Sequence, residues 1–326
     1  MGNKGRAVPR LVVYPILGVA VLVVAAALWA ERTGQQSGIA FRLDVVVHRL
    51  GAFPGAVKHR DARCSYADAW SLSPPVDQVL AQTAVQKTFR VEERDGSLER
   101  VRTPAGAYWI PSRDVDTLAE TIVEQQSDIY EAGGGSIGSG DVVLDCGANV
   151  GLYTRHALDK GAKVVIAIEP APEALECLRR NFAAEVSSGR VVIYPKGVWN
   201  KDEELPLSIS NAWASTAASV VLDRGGAGPK ILLTTIDKLV AELHLSSVSL
   251  IKMDIEGSEM QALEGAIETV RRFRPRMAIS LEHRPSDPDR IPELVRRLWP
   301  SYATQCGPCA NVNGRIQPDV MFAHAQ

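Results

Sequence analysis

Disulfides, repeats and a dominant sign of charge are all scarce in this sequence, and each scarcity excludes a class of protein. Five cysteines in 326 residues are too few, and odd in number, for a stabilising disulfide framework. No repeat of fixed period occurs, which excludes collagen-like and solenoid architectures. With 36 Lys and Arg against 38 Asp and Glu, the chain has neither a basic field for nucleic acid nor an acidic tail.

The residues that are present have the composition of a folded protein. Hydrophobic residues make up 46% of the chain and charged residues 23%, which is ordinary for a globular fold with a buried core. Disorder throughout the chain is therefore excluded.

One segment near the N-terminus departs from this globular composition. Residues 11–30 read LVVYPILGVAVLVVAAALWA and contain no charge. A helix of that length spans roughly 30 Å, the thickness of the hydrocarbon core of a bilayer. Lys4, Arg6 and Arg10 precede it. We therefore expect residues 1–30 to form a basic N-terminus and a single-pass transmembrane anchor. A cleaved signal peptide is the alternative.

Two further regions precede the main part of the chain. Prolines and glycines punctuate residues 31–85, which we interpret as a stalk or linker with short helices. Asp95-Gly96 is a hairpin turn signal between short apolar runs, and a helical pattern follows it. Residues 86–139 are therefore expected to form a small β-hairpin and helix extension. It ends in the glycine-rich residues 133–140, expected to be a flexible joint.

Strand and helix patterns alternate through residues 140–326. This alternation predicts a doubly wound α/β fold with a mostly parallel sheet. Ligands of such sheets bind at the carboxyl ends of the strands. The strands are expected at residues 142–144, 163–168, 191–194, 249–253, 277–281 and 320–323.

The clearest motif lies at the ends of the first two of these strands and predicts a cofactor site. Within VVLDCGANVGLY, residues 142–153, Gly147 and Gly151 let the backbone come close to a ligand, and Asp145 ends the strand. Glu169 ends the second strand, where an acid accepts both hydroxyls of a ribose. The middle glycine of a dinucleotide fingerprint is missing. Two acids around this turn favour S-adenosylmethionine over a pyrophosphate cofactor.

A second group of polar residues follows the later strands. Asp254 and Glu256 follow the fourth strand, and Glu282 and His283 follow the fifth. If these strands are neighbours, we expect the four side chains to converge near the methyl group of S-adenosylmethionine. An attacking hydroxyl must lose its proton, which His283 or Asp254, or else Glu282, can accept. The three acids could hold Mg²⁺, but three acids are not a metal signature, so no metal ligand is assigned. Glu259 is interpreted as compensation of a helix dipole.

Two motifs keep less specific interpretations. Trp199, just after the third strand, can pack against the adenine of the cofactor. A position in the hydrophobic core is an equal alternative for this tryptophan. Cys306 and Cys309 form a CxxC pair. Because no thioredoxin-like strand and helix surround this pair, we interpret it as a plain turn rather than a redox site.

Together, the segments VVLDCGANVG, AIEP, LIKMDIEGSEMQALEGA and ISLEH resemble FkbM-type methyltransferases. The resemblance extends from about Thr88 to the C-terminus and includes a helix with Glu124 and Tyr130. It implies a Rossmann-like class I methyltransferase fold and S-adenosylmethionine as cofactor. It also implies O-methylation of a hydroxyl on a sugar, a glycolipid or a secondary metabolite.

The same resemblance assigns cofactor contacts by position in the motifs. The residues carried over in this way are Asp145, Gly147, Asn149, Gly151 and Glu169.

Two other functions remain open from the sequence. One is an NAD(P)-linked Rossmann oxidoreductase, disfavoured by the incomplete glycine fingerprint. The other is a membrane-tethered binding module that keeps the fold without catalysis. If the protein is a methyltransferase, its expected partners are a small-molecule, glycan or lipid acceptor and, through residues 11–30, the membrane. No nucleic acid partner is expected.

Two arguments conflict over the side of the membrane on which residues 31–326 lie. Lys4, Arg6 and Arg10 outnumber the basic residues that closely follow the apolar segment, which favours export of the domain. An exported domain would, however, lose access to the cytosolic supply of S-adenosylmethionine. We therefore predict that residues 31–326 face the cytosol.

Protease added to sealed right-side-out vesicles tests this prediction of topology. The domain is expected to survive until the membrane is opened with detergent. Digestion while the membrane is intact would show that the charge rule is the better guide.

Overall fold

The structure is a computed structural model that describes residues 38–209, 218–223, 225 and 227–326. The anchor expected at residues 11–30 lies outside the described residues. Within the described ranges, no helix has both the length and the apolar character needed to cross a bilayer. The chain forms two compact units. One runs to Asp77 and includes Asn311–Ile316, and the other comprises Gln78–Ala310 with Gln317–Gln326.

Residues 38–71 of the first unit are mainly helical. Helix α1 spans Gly38–Lys58 and α2 spans Tyr66–Ser71. Ser65 begins α2 with a capping box, in which its hydroxyl accepts from the backbone N–H of Asp68. The rings of Phe53 and Trp70 meet edge to face at 5.5 Å. The region interpreted as a stalk with short helices thus contains a 21-residue helix and side-chain packing of its own.

Strands and helices then alternate along the chain. The further helices are α3 (Val76–Gln86), α4 (Val115–Gln126), α5 (Leu152–Asp159), α6 (Pro172–Asn181), α7 (Ala183–Ser187), α8 (Ile236–Glu242), α9 (Glu259–Glu264), α10 (Ile267–Phe273) and α11 (Asp287–Leu298). The strands are β1 (Arg90–Asp95), β2 (Leu98–Thr103), β3 (Gly106–Pro111), β4 (Val142–Cys146), β5 (Val164–Ile168), β6 (Val191–Tyr194), β7 (Gly197–Val198), β8 (Glu203–Ser208), β9 (Ala227–Thr234), β10 (Leu250–Met253), β11 (Arg276–Ser280), β12 (Tyr302–Cys306), β13 (Cys309–Val312), β14 (Arg315–Pro318) and β15 (Val320–Ala325).

The extension before the main sheet has the expected hairpin. Strands β1, β2 and β3 form an antiparallel sheet, with Asp95 paired to Leu98 across the turn at Gly96. Helix α4 follows, and its buried side chains Leu118 and Ile122 pack in the same cluster as the sheet. The hairpin and the helix are therefore present where the sequence pattern placed them.

The glycine-rich joint is packed rather than loose. A Cβ atom on Gly133 would lie 2.8 Å from the Phe322 ring. A Cβ atom on Gly135 would lie 2.3 Å from the carbonyl oxygen of Tyr130 and 2.8 Å from the same ring. These contacts differ from the flexible joint expected. The glycines are needed here because the backbone approaches an aromatic ring on β15.

The main sheet has seven strands in the order β12-β15-β11-β10-β4-β5-β6. Its pairs are parallel except at β15, which is antiparallel to both β11 and β12. Two buried clusters cover its faces, one containing Leu144 and Ile251 and the other Val143 and Leu250. This arrangement confirms the predicted α/β fold with a mostly parallel sheet.

The register brings three strand ends to one edge of the sheet. Cys146 is paired with both Ile168 and Met253, and each of these residues is the last of its strand. The residues that follow β4, β5 and β10 are therefore neighbours, although they are far apart in sequence.

A smaller sheet in the order β7-β9-β8 follows β6 and was not expected from the sequence. Trp199, Leu207, Ile231 and Leu233 form its buried cluster.

The CxxC pair flanks a turn between β12 and β13, as expected. Cys309 is disulfide-bonded and Cys306 is not, so the two do not form a disulfide with each other.

Candidate active site

The glycine turn after β4 is held by close contacts with two other elements. Gly147 has a φ of 81°, and a Cβ there would lie 1.8 Å from the carbonyl oxygen of Asp254. Gly151 has a φ of 95°, and a Cβ there would lie 2.1 Å from the Phe182 ring. Asn149 has a φ of 51° between them, a conformation that asparagine tolerates better than most residues. Gly147 and Asn149 line a cavity, whereas Gly151 starts helix α5 behind it.

Glu169 follows β5 and faces the same cavity. One carboxylate oxygen accepts from the backbone N–H of Asn149 at 2.9 Å, and the other accepts from Ala171 at 2.8 Å. A carboxylate has about four acceptor positions, so each oxygen can still accept from a ligand hydroxyl. Burial raises the pKa of Glu169 to about 7, against the effect of the two backbone N–H groups. The geometry suits a pair of vicinal hydroxyls.

Asp145, the second predicted acidic contact, is fully buried and does not line the cavity. Its carboxylate accepts from the Thr154 hydroxyl at 2.7 Å and lies 3.4 Å from the ammonium of Lys252. Burial raises its pKa above the usual value, and Lys252 opposes that effect. The structure therefore places Asp145 behind the glycine turn, where it acts through its neighbours. Its predicted contact with the cofactor stays a prediction.

Lys252 was missed by the sequence reasoning. It is 3% exposed, and its ammonium donates to the carbonyl of Gly147 at 3.2 Å. It also lies 3.7 Å from Asp254 and faces the rings of Tyr130 and Tyr153 at 5.3 and 5.6 Å. A charged residue inside the otherwise apolar strand LIKM is the signal that could have found it, because buried lysines are almost always paired.

Asp254, Glu256 and His283 converge as predicted, beyond the ends of β10 and β11. His283 Nε2 lies 3.4 Å from Asp254 Oδ1 and 3.6 Å from Glu256 Oε2. On the other side of the ring, Nδ1 lies 3.2 Å from Glu259 Oε1. Asp254 and Glu256 line the cavity, while the His283 side chain is 5% exposed.

Glu259 has a larger part than the helix-dipole role expected from the sequence. It is 1% exposed, and its carboxylate accepts from the backbone N–H groups of Ile255 at 3.0 Å and Gly257 at 3.4 Å. It therefore holds the loop that carries Glu256, in addition to facing His283.

The charges of Asp254, Glu256, Glu259 and Lys252 determine the protonation of His283 and Asp254. Burial alone would lower the pKa of His283, but Glu259, Asp254 and Glu256 raise it well above the usual value. Burial alone would raise the pKa of Asp254, but Lys252, His283 and the Tyr130 hydroxyl hold it below the usual value. The imidazole is therefore charged near neutral pH, and the Asp254 carboxylate is ionised.

Glu282 belongs to a neighbouring set of acids. Burial, together with the carboxylate of Asp319, raises the pKa of Glu282 to about 8. Burial also raises the pKa of Asp319 to about 6, and that of Glu124 rises well above its usual value. Asp319 was not predicted, since it reads only as a polar residue before a last edge strand. Glu282 therefore retains its proton near neutral pH.

Trp199 packs in the core of the small sheet and is 8% exposed. Its neighbour Val198 lines the cavity, together with Leu207 and Leu233 from that sheet. The structure thus brings an apolar wall to the cavity without exposing the indole there. The predicted adenine contact of Trp199 stays a prediction.

Sheet order and cavity together define the class of protein. A glycine turn after the first strand, an acid after the second and an antiparallel strand between the last two parallel ones are the features of a class I methyltransferase-like α/β fold. The Methyltransferase FkbM domain matches residues 145–307, half of the chain. The chain belongs to the FkbM methyltransferase family.

Individual relatives match part of the chain. The 31-O-demethyl-FK506 methyltransferase FkbM of Streptomyces tacrolimicus is 25% identical over 154 residues, covering 39% of this chain and 59% of its own length. Methyltransferase 1 of Beauveria bassiana (strain ARSEF 2860) is 26% identical over 143 residues, covering 38% of this chain and 57% of its own length. The crystal structure of Methyltransferase FkbM from Methylobacillus flagellatus KT covers 90% of this chain and 64% of that chain, at 18% identity and a TM-score of 0.46.

Replacing Lys252 by methionine is expected to destabilise the fold by ~3–5 kcal/mol, because the buried Asp145 loses its counter-ion. The pKa of Asp145 in the folded state then rises further above its unfolded value. The folded state therefore binds more protons, and the loss of stability grows as the pH rises. Urea unfolding at two pH values measures both effects.

Lys238→Met is the matched control for this experiment. Lys238 is a half-exposed lysine that pairs with Asp202 and Glu242 at the surface, and its loss is expected to cost far less. Equal losses in the two variants would contradict the central role given to Lys252.

Proposed function

We propose that this protein is an S-adenosylmethionine-dependent O-methyltransferase. The observation that carries the proposal is the position of Glu169, whose carboxylate is fixed by two backbone N–H groups and faces the cavity beside the glycine turn. A ribose with two free hydroxyls is complementary to that carboxylate. The apolar wall formed by Val198, Leu207 and Leu233 suits an adenine ring.

The far end of the same cavity supports methyl transfer to oxygen. Asp254 and Glu256 line it there, and His283 lies between their carboxylates. A cationic sulfonium is stabilised by these negative charges, and an acceptor hydroxyl can donate a hydrogen bond to either carboxylate. Transfer then requires in-line positioning of the hydroxyl and removal of its proton, either by the ionised Asp254 or by His283 or the nearby Glu282 after that group has lost its own proton.

The acceptor we propose is a hydroxyl on a sugar, a glycolipid or another small metabolite. Acidic side chains surround the reacting end of the cavity, and hydroxyl groups are the natural hydrogen-bond donors to them. An acceptor with phosphates close to the reacting hydroxyl would be repelled there. A screen of labelled methyl transfer into glycan and lipid fractions identifies the class.

Two alternatives from other classes make different predictions. A nicotinamide dinucleotide would bring its pyrophosphate to the turn, where Glu169 carries negative charge and Asn149 replaces a glycine. A binding module without catalysis would bind S-adenosylmethionine but release no S-adenosylhomocysteine.

We also propose the cellular setting expected from the sequence. Residues 11–30 serve as a single-pass anchor, and the catalytic part faces the cytosol, where S-adenosylmethionine is available. A membrane anchor would raise the local concentration of a lipid-linked acceptor. This agrees with a glycolipid as one of the substrate classes above.

The purified chain is expected to bind S-adenosylmethionine and S-adenosylhomocysteine in preference to NAD. Glu169→Ala is expected to weaken binding at least tenfold, because each lost hydrogen bond to a charged acceptor is worth ~1.5–3 kcal/mol. Since the pKa of Glu169 is raised to about 7, its carboxylate ionises as the pH rises past that value. Affinity should therefore increase between pH 6 and pH 8. Calorimetry at both pH values measures these effects.

Two variants serve as controls for the cofactor measurement. Glu169→Gln should remove the increase in affinity with pH, whereas Glu176→Gln, an exposed position on α6, should leave it intact. Binding of NAD without binding of S-adenosylmethionine would overturn the proposed function.

His283→Ala is expected to lower turnover by about 10²–10⁴-fold while S-adenosylhomocysteine affinity changes little. The reason is that His283 is buried between the carboxylates at the reacting end and does not reach the ribose site. Release of S-adenosylhomocysteine in the presence of the acceptor fraction measures turnover.

The exposed His324 supplies the control for this variant, because His324→Ala removes an imidazole far from the chemistry of the cavity. Full activity of His283→Ala would transfer the proton-accepting role to Asp254 or Glu282.

A further inference from the structure

Three potential metal ligands meet at the reacting end of the cavity. One ligand atom each from Asp254, Glu256 and His283 lies within 4.8 Å of the others. The two distances from His283 Nε2 are 3.4 Å to Asp254 and 3.6 Å to Glu256. Ligand atoms that bind one ion at ~2.0–2.2 Å, at tetrahedral or octahedral angles, lie ~2.8–3.6 Å apart. The two separations from Nε2 fall within that range, and the ligand oxygens of the two carboxylates lie within 4.8 Å of each other.

The second polar atom of two of these side chains faces another group of the protein. Asp254 Oδ2 accepts from the Tyr130 hydroxyl at 3.0 Å, which leaves Oδ1 turned to His283. His283 Nδ1 faces the buried carboxylate of Glu259 at 3.2 Å, which leaves Nε2 turned to Asp254 and Glu256. A carboxylate behind the far nitrogen of a histidine is the usual outer shell of a metal site. This arrangement is an observation independent of the cluster itself.

We propose that Asp254, Glu256 and His283 bind one divalent cation of the first transition series, such as Mn²⁺ or Zn²⁺. Each carboxylate supplies one oxygen and His283 supplies Nε2. One imidazole with two carboxylates favours such an ion over Mg²⁺, which prefers oxygen ligands and water. Glu282, considered with the two other acids from the sequence, is not part of this group of ligands.

A second group of potential ligands in the described residues has a lysine beside it, which makes it a poorer metal site. Asp128, Glu131 and His156 also come together. There, however, the ammonium of Lys160 lies 3.6 Å from Asp128 Oδ1, the same oxygen that lies nearest His156. At the cavity, Lys252 is instead close to Asp254 Oδ2, the oxygen turned away from His283. The Lys160 ammonium therefore already partly neutralises the Asp128, Glu131 and His156 group, which makes that group a matched control.

The catalytic consequence rests on the proposed function. Asp254 and Glu256 line the cavity, so a cation held by them would be accessible to the acceptor hydroxyl and would increase its acidity. The O–H bond breaks and its proton passes to water. The new O–C bond forms as the S–C bond of the sulfonium breaks, which releases S-adenosylhomocysteine. The cation thereby supplies the activation that a general base would otherwise provide.

Titration of the metal-free full chain with Mn²⁺, followed by the EPR signal of the free ion, tests the proposal. We expect one Mn²⁺ bound per chain, and pulsed EPR should detect coupling to a histidine nitrogen. His283→Ala and Glu256→Gln should each weaken binding at least tenfold, and Glu259→Gln by about 10–100-fold. His156→Ala should bind Mn²⁺ like the unaltered chain.

S-adenosylhomocysteine binding, measured by calorimetry in every variant, shows that each is folded and tests the proposed function separately. S-adenosylhomocysteine binding without stoichiometric Mn²⁺ binding by the unaltered chain would overturn the metal site and leave the methyltransferase proposal standing. Mn²⁺ binding lost in His156→Ala but kept in His283→Ala would also overturn it. Mn²⁺ binding with nitrogen coupling, but no S-adenosylhomocysteine binding, would support the metal site and contradict the proposed function.

Discussion

The ion pairs of Lys252 are the interaction on which the site depends. Its ammonium lies between Asp145 at the end of β4 and Asp254 just beyond β10, and it also holds the carbonyl of Gly147. Without a cation between them, the buried Asp145 carboxylate and the Asp254 carboxylate at the cavity wall would repel each other, and Asp145 would be left as an uncompensated buried charge. Lys252 thus links the glycine turn after β4 to Asp254 in the cavity wall. The tyrosine rings around it exclude water from these charges.

The remaining acids divide into groups with different protonation. Asp254 is kept ionised by its donors, whereas burial and the neighbouring Asp319 carboxylate keep Glu282 protonated near neutral pH. Glu169 lies between these cases, with a pKa raised to about 7. The surroundings of each carboxyl group, rather than the residue type, therefore decide whether it is ionised near neutral pH. Such divergence is characteristic of functional sites.

Residues that are close in sequence were the ones that sequence reasoning placed well. The hairpin at Asp95-Gly96, the glycine turn at Gly147 and the strand that ends before Glu169 each follow from a local pattern. The convergence of Asp254 and His283 also followed, because parallel strands end at one edge of a sheet. The packed joint near Gly135 and the small β7-β9-β8 sheet did not follow, because ring contacts and sheet pairing decide them.

The sequence by itself determined the alternation of strands and helices, the glycine turn and the acids at the strand ends. These depend on hydrophobic period and on backbone conformation within a few residues. Only the tertiary structure decided that Asp145 is buried against Lys252, that Tyr130 donates to Asp254 and that Glu259 faces His283. The first two contacts join residues more than a hundred positions apart, and Tyr130 and Asp254 are separated by 124. Local patterns cannot specify such contacts, because they arise only when the register of the sheet aligns the strand ends.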